Sequence, residues 1–144
     1  MDYQCKTRSN YFAIREGREA KLKALLDHCG LRMWKENDPY GVTRYAFGVD
    51  GDFVGIPYRG TIPEEDPDGC GGDRNAFFRE LQAVISEDDA VIIQEVGTEA
   101  LRYFMTEATI VTSKEVQFIS LQKMAVREAA EMLSNPRFTT RLDY

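Results

Sequence analysis

The sequence has few of the residues from which catalytic and metal sites are usually built. It holds one histidine, His28, and three cysteines, and it contains no Cys-x-x-Cys pair. A zinc site or a disulfide framework needs more of these residues at closer spacing. A Ser-His-Asp triad would have to use His28, and no Gly-x-Ser-x-Gly motif accompanies it. The sequence therefore predicts no metal and no cofactor, and it disfavours an enzyme.

Phosphate-binding loops and membrane segments are also lacking. Neither Gly-Lys-Ser/Thr nor Gly-x-Gly-x-x-Gly occurs, so no nucleotide-binding loop is indicated. No apolar run approaches the roughly 20 residues that cross a bilayer. The first residues, MDYQCK, do not have the pattern of a signal peptide. We therefore expect a cytoplasmic protein that does not bind membranes.

Negative charge is concentrated in the middle of the chain. The net charge is −6, but residues 61–107 hold three basic and twelve acidic side chains, a local charge of −9. A field of one sign attracts partners of the opposite sign and disfavours contact with nucleic acid phosphates. Basic and aromatic residues alternate near Arg8, Tyr11, Trp34 and Arg44, and such groups can stack on nucleic acid. We favour strands with exposed cations and buried rings at these positions, and expect no direct contact with nucleic acid.

The pattern of apolar residues predicts one α+β domain over residues 1–144. Helical spacing indicates three helices, at 16–29, 74–85 and 122–133. Alternation or apolar runs indicate strands at 3–14, 31–36, 42–49, 53–58, 90–96, 100–112 and 116–121. Short links between these strands favour antiparallel sheets. We expect residues 60–72, rich in glycine, proline and acids, to form an exposed loop between two αβββ halves, whose matching order of elements suggests a pseudo-repeat.

Acidic residues in that loop and in a later turn are the candidate binding residues. Because they are clustered and expected to be exposed, they would face a basic protein partner. These residues are Glu64, Glu65, Asp66, Asp68, Glu87, Asp88 and Asp89. The loop does not match a calcium-binding loop, because Phe77 stands where the twelfth-position glutamate should be.

Cys70 supports an alternative interpretation as a small enzyme. It precedes the helix that starts near Arg74, and a thiol beside a helix N-terminus can have a lowered pKa. The neighbouring carboxylates would oppose that effect. An enzyme that uses Cys70 or a pair of carboxylates therefore remains an alternative to a non-catalytic binding protein.

Two segments suggest a family of proteins. Residues 8–12, RSNYF, and residues 87–103, EDDAVIIQEVGTEALRY, running on to Thr112 and Ser113, resemble segments of small acidic proteins of phages, plasmids and integrative elements. These include anti-defence inhibitors such as anti-CRISPR and antirestriction proteins. The resemblance implies an inhibitor that docks onto a host defence complex, and it supplies no catalytic residue. An immunity protein that neutralises a basic toxin is the alternative.

Overall fold

The computed structural model describes residues 4–58, 64 and 71–142. Its three helices are α1 (Glu19–His28), α2 (Arg74–Gln82) and α3 (Leu121–Met132). The strands of the large sheet are β1 (Gln4–Ser9), β2 (Arg32–Asn37), β3 (Thr43–Val49), β6 (Val91–Glu99), β7 (Tyr103–Val111) and β8 (Val116–Ser120). Two short strands, β4 (Ile56–Pro57) and β5 (Gly72–Asp73), form a separate pair. The predicted α+β class with three helices is confirmed.

The large sheet has the order β2-β3-β1-β6-β7-β8, and every neighbouring pair is antiparallel. The strand that comes first in the chain is therefore central, between a two-stranded hairpin and a three-stranded meander. Buried and exposed residues alternate along β1, so that Thr7 points to one face and Arg8 to the other. The two faces of the sheet consequently have different surroundings.

Helices α1 and α2 cover one face of the sheet. Their buried leucines and phenylalanines pack against Phe47 of β3, Ile93 of β6 and Val111 of β7. Aromatic rings fill much of this core, and Phe53 meets Phe77 edge to face with ring centroids 4.8 Å apart. The opposite face is more open, since Arg8, on the central strand, is exposed there.

Local interactions stabilise one end of each helix, and the signals at Asp73 and Gly30 are visible in the sequence. The side chain of Asp73 caps α2 by accepting a hydrogen bond from the N–H of Ala76 at 2.8 Å. Helix α1 ends just before Gly30, whose φ of +70° is one that glycine adopts without strain. Helix α3 begins after Ser120, whose hydroxyl accepts a hydrogen bond from the N–H of Lys123.

The structure differs from prediction in the third strand of the first half. Residues 53–58 do not extend a meander, because only Ile56–Pro57 forms a strand and it pairs with β5. Gly55, with a φ of +86°, interrupts the extended run before β4. The free edge of β3 pairs with β1 instead. Only the second half, α2 with β6, β7 and β8, has the αβββ arrangement within one sheet.

A second difference concerns residues 97–99, which lie between the predicted strands 90–96 and 100–112 and were therefore expected to form a turn. Those residues belong to β6, where Gly97 pairs with Cys5 on one side and Met105 on the other. The chain turns after them, and Ala100 adopts a positive φ of 51°. Glycine weakens the interior of a strand, so Gly97 was expected to end β6. Its pairing with neighbouring strands on both sides keeps it extended instead.

Within the described residues, none of the helices has both the length and the apolar character needed to span a bilayer.

Candidate protein-binding surface

Two turns are joined at one end of the large sheet. One is the β2–β3 turn, residues 38–42, and the other is the turn between α2 and β6, residues 86–89. Arg44 bridges them: its Nε lies 3.1 Å from Asp38 Oδ2, and its Nη1 lies 3.1 Å from Asp89 Oδ2. The guanidinium thus fixes the position of one turn relative to the other.

Asp38 orders the first turn from within. Its Oδ1 accepts hydrogen bonds from the N–H groups of Tyr40 and Val42, both at 2.9 Å. The Val42 N–H is the main cause of a lowered pKa at Asp38; partial loss of hydration opposes it, and Arg44 and the Tyr40 N–H lower the pKa further. The carboxylate is therefore held in its charged form, in which it accepts these bonds.

Asp89 anchors the second turn to other segments of the chain. Its Oδ2 accepts a hydrogen bond from the N–H of Ala13 at 2.7 Å as well as from Arg44, and its Oδ1 accepts from the N–H of Ala90 at 2.8 Å. The next two residues back, Glu87 and Asp88, are exposed. Of the three acids expected to bind a partner from this turn, two face solvent, while Asp89 is engaged within the protein.

Apolar side chains accompany the two exposed acids. Tyr40 is 91% exposed and Val42 44% exposed, although both follow the well-ordered Asp38. Exposed tyrosines on ordered backbone are common anchors of protein interfaces. We refer to Tyr40, Val42, Glu87 and Asp88 as the turn surface. It offers an aromatic anchor on one turn and two carboxylates on the turn bridged to it.

The other predicted acids precede α2 in the sequence. Glu64 is exposed. Glu65, Asp66 and Asp68 lie outside the described residues, as does Cys70. In the chain, residues 64–68 precede α2 and residues 87–89 follow it. The nine residues of α2 rise about 13 Å along the helix axis.

The structure also places the other residues considered for chemistry. Within the described ranges, no group of three or more histidine, cysteine, aspartate or glutamate side chains is arranged to hold a metal ion. Burial raises the pKa of the Cys29 thiol to about 11, so this thiol is protonated at neutral pH. The Arg8 guanidinium lies 4.4 Å from the Trp34 ring centroid, while Phe12 and Tyr45 are buried.

An ion pair between a buried glutamate and a partly exposed arginine was not predicted from the sequence. Glu95 of β6 is 3% exposed, and its Oε2 lies 2.7 Å from Nη2 of Arg74 at the start of α2. Its position could have been found from the alternation of β6, because Val91, Ile93 and Glu95 share the inward face. This pair joins a helix to the sheet and is not part of the turn surface.

Comparison with protein-family models, with curated proteins and with solved structures finds no match to the chain.

Proposed function

We propose that the protein is a non-catalytic binding protein that docks onto a cationic macromolecular partner through the turn surface. The observation that supports this most directly is the exposure of Glu87 and Asp88 on a turn that Asp89 holds by three accepted hydrogen bonds. Their charges are presented in a defined position without being neutralised by an ion pair within the described residues.

Order within the two turns favours binding. A turn that is already held in one conformation loses less conformational entropy when a partner docks. Asp38, Arg44 and Asp89 hold the turns by bonding to one another and to the backbone. The exposed side chains of the turn surface take no part in these bonds and remain available to a partner. Tyr40 then adds apolar contact area, while Glu87 and Asp88 select for arginine or lysine on the partner.

The partner we propose is a nucleic-acid-binding host defence complex, inhibited in the manner of anti-CRISPR or antirestriction proteins. Two features support it: the likeness of residues 8–12 and 87–103 to such proteins, and the acidity of residues 61–107. A groove that binds nucleic acid phosphates is lined with cations, so carboxylates at suitable spacing can occupy it.

Cleavage of a target DNA by purified defence nucleases tests the proposal. A panel of RNA-guided nuclease complexes and restriction endonucleases is titrated with the protein, and we expect dose-dependent inhibition of at least one. Glu87→Lys with Asp88→Lys should weaken that inhibition at least tenfold, and Tyr40→Ala should also weaken it. The matched control is Asp52→Lys with Glu99→Lys, which makes the same charge change at two exposed residues at or beyond the opposite ends of β3 and β6 from the turn surface.

The outcomes separate the two parts of the proposal. If no nuclease of either kind is inhibited, the anti-defence function is wrong. If inhibition occurs but the Glu87/Asp88 and control variants behave alike, the docking surface is wrong.

A further inference from the structure

The face of the large sheet opposite α1 and α2 carries cations on two strands that are separated by a third. Arg8 of β1 and Arg32 of β2 are both exposed, and each is in register with Gly48 of β3, which lies between them. Residues in register on neighbouring strands point to the same face of a sheet. The two arginines therefore flank one glycine on the open face.

The Trp34 ring occupies the space above that glycine. A Cβ added at Gly48 would lie 3.1 Å from Cζ3 and 3.3 Å from Cη2 of the ring. The Cζ atoms of Arg8 and Arg32 lie 4.4 Å and 5.2 Å from the Trp34 ring centroid. The Tyr11 ring centroid lies 6.0 Å from the Arg8 Cζ. These two cations and two rings form one contiguous group, which we call the sheet-face cluster.

The charges of this cluster are not balanced by the protein. Neither Arg8 nor Arg32 takes part in an ion pair within the part of the chain that the structure describes. Lys6, on the same face, is paired with Asp50 at 3.1 Å. Glu36, also on this face, is four positions from Arg32, or about 13 Å along β2. Two like charges beside one ring repel each other, so an anion that binds both is favoured.

The combination of guanidinium groups and rings indicates which anion fits. A guanidinium binds a phosphate group through two parallel hydrogen bonds. Nucleic acid bases stack on aromatic rings and on guanidinium planes, and this stacking tolerates any base sequence. In a duplex the bases are already stacked on one another and cannot reach a sheet face. The cluster therefore fits the phosphates and unpaired bases of a single strand.

The open face continues from the cluster towards α3. Gln94 of β6 is in register with Arg8, and it lines a groove of about 300 Å³ that reaches the first turn of α3. Val96, Leu121 and Met124 contribute apolar side chains to the same groove. The glutamine amide both donates and accepts hydrogen bonds, as the edges of bases do. The groove thus offers a place for a base beside the phosphate-binding arginines.

We propose that the open sheet face binds single-stranded nucleic acid, a second binding activity beyond the docking of the turn surface. Phosphates bind Arg8 and Arg32, and unpaired bases stack on the rings of Trp34 and Tyr11. A further base enters the groove beside Gln94.

This inference departs from the expectation that the protein makes no direct contact with nucleic acid. That expectation rested on the acidity of residues 61–107, whereas Arg8 and Arg32 come from distant parts of the sequence and meet only across Gly48 in the folded sheet. At about 0.1 M salt, exposed charges more than about 10 Å apart are largely screened from one another. The cluster can therefore attract phosphate in a protein whose net charge is −6.

Two fluorescence titrations with an oligodeoxythymidine of about 20 nucleotides test the proposal. Trp34 is the only tryptophan in the chain, so quenching of its emission reports directly on the sheet-face cluster. Anisotropy of a labelled oligonucleotide gives the affinity, which Arg8→Ala with Arg32→Ala should weaken at least tenfold. The matched control, Lys21→Ala with Lys23→Ala, removes the same charge from exposed positions on α1, across the sheet, and should change the affinity less than twofold.

Salt dependence separates phosphate contacts from a structural effect of the substitutions. For a single strand, the logarithm of the binding constant falls by about 0.7 per contacted phosphate for each tenfold increase in salt. Loss of two contacts in the Arg8/Arg32 variant should therefore reduce this slope by about 1.4. Circular dichroism of the same samples shows whether the variant is folded.

Three results would overturn the proposal. The oligonucleotide could neither bind nor quench Trp34, the Arg8/Arg32 variant could bind as the Lys21/Lys23 variant does, or a duplex of the same length could bind equally well. Because Glu87 and Asp88 are unchanged in all these variants, none of the results bears on the turn surface.

Discussion

Arg74 and Glu95 form a two-point contact between the first residue of α2 and the middle of β6. Nη2 lies 2.7 Å from Oε2, and Nη1 lies 3.4 Å from Oε1. The guanidinium also lies 4.9 Å from the Phe53 ring centroid. The two partners differ in exposure: the side chain of Glu95 is 4% exposed and that of Arg74 is 37% exposed. Removing one partner therefore has a different consequence from removing the other.

Arg74→Met should destabilise the protein by about 3 kcal/mol, because it leaves the buried Glu95 carboxylate without its cation. Replacing both residues, Arg74→Met with Glu95→Met, should cost clearly less than the single change, because no charge is then buried. Urea denaturation of the two variants and the parent measures these free energies. A double variant at least as unstable as Arg74→Met would show that the ion pair itself contributes net stability.

Asp89→Ala should destabilise the protein by about 2 kcal/mol, since it leaves the N–H groups of Ala13 and Ala90 and one arm of Arg44 without an acceptor. Asp88→Ala, at the exposed neighbour, should change the free energy of unfolding by less than about 0.5 kcal/mol. Thermal or urea unfolding measures both. Equal effects from the two substitutions would contradict the role assigned to Asp89.

Gly55→Ala and Gly41→Ala separate backbone strain from steric overlap. Both glycines have similar positive φ angles, +86° and +81°. A Cβ at Gly55 would lie 2.5 Å from the carbonyl oxygen of Asp73, whereas a Cβ at Gly41 would meet nothing within 4 Å. We expect Gly41→Ala to cost about 1 kcal/mol and Gly55→Ala about 3 kcal/mol or more. Similar losses of stability in the two variants would show that the backbone at Asp73 can move away from a Cβ at position 55.

Asp38 should cause the free energy of unfolding to decrease as the pH falls below the ordinary pKa of this side chain. Its pKa is lowered from 3.8 in the folded protein, so its contribution is fully present above that value and is lost as the pH falls through the lower folded-state pKa. The difference in urea midpoint between the parent and Asp38→Asn should be constant from about pH 7 to 5 and shrink below about pH 4. A difference that is independent of pH down to the acid limit would contradict this.

Local chemistry made the helices predictable. Asp73 and Gly30 mark helix ends through interactions with residues at most a few positions away, and such signals can be read directly from the sequence. The acidic turn was also located correctly, since Glu87 and Asp88 are exposed. Tyr40 was not among the predicted binding residues, although the run Asn37-Asp38-Pro39-Tyr40-Gly41 has the composition of a turn.

Remote pairings could not be predicted in the same way. Alternation along residues 4–9 specifies which side chains face the core, but it does not specify that β3 and β6 are the neighbours of β1. The internal use of Asp89 depends on Arg44 and Ala13, which reach it from other segments of the chain. The same holds for Arg74 and Glu95, 21 positions apart.

The central place of β1 has a consequence for biosynthesis and for engineering. Residues 4–9 are synthesised well before residues 93–98, so one edge of this strand can be paired only after the later segment has been made. The hairpin and the meander on either side can form from nearby sequence, so β1 is the piece that unites two separately nucleated parts. We expect a chain lacking β1 to recover its folded structure when the missing strand is added as a synthetic peptide. The protein is therefore a candidate for a reporter that works in two separate pieces.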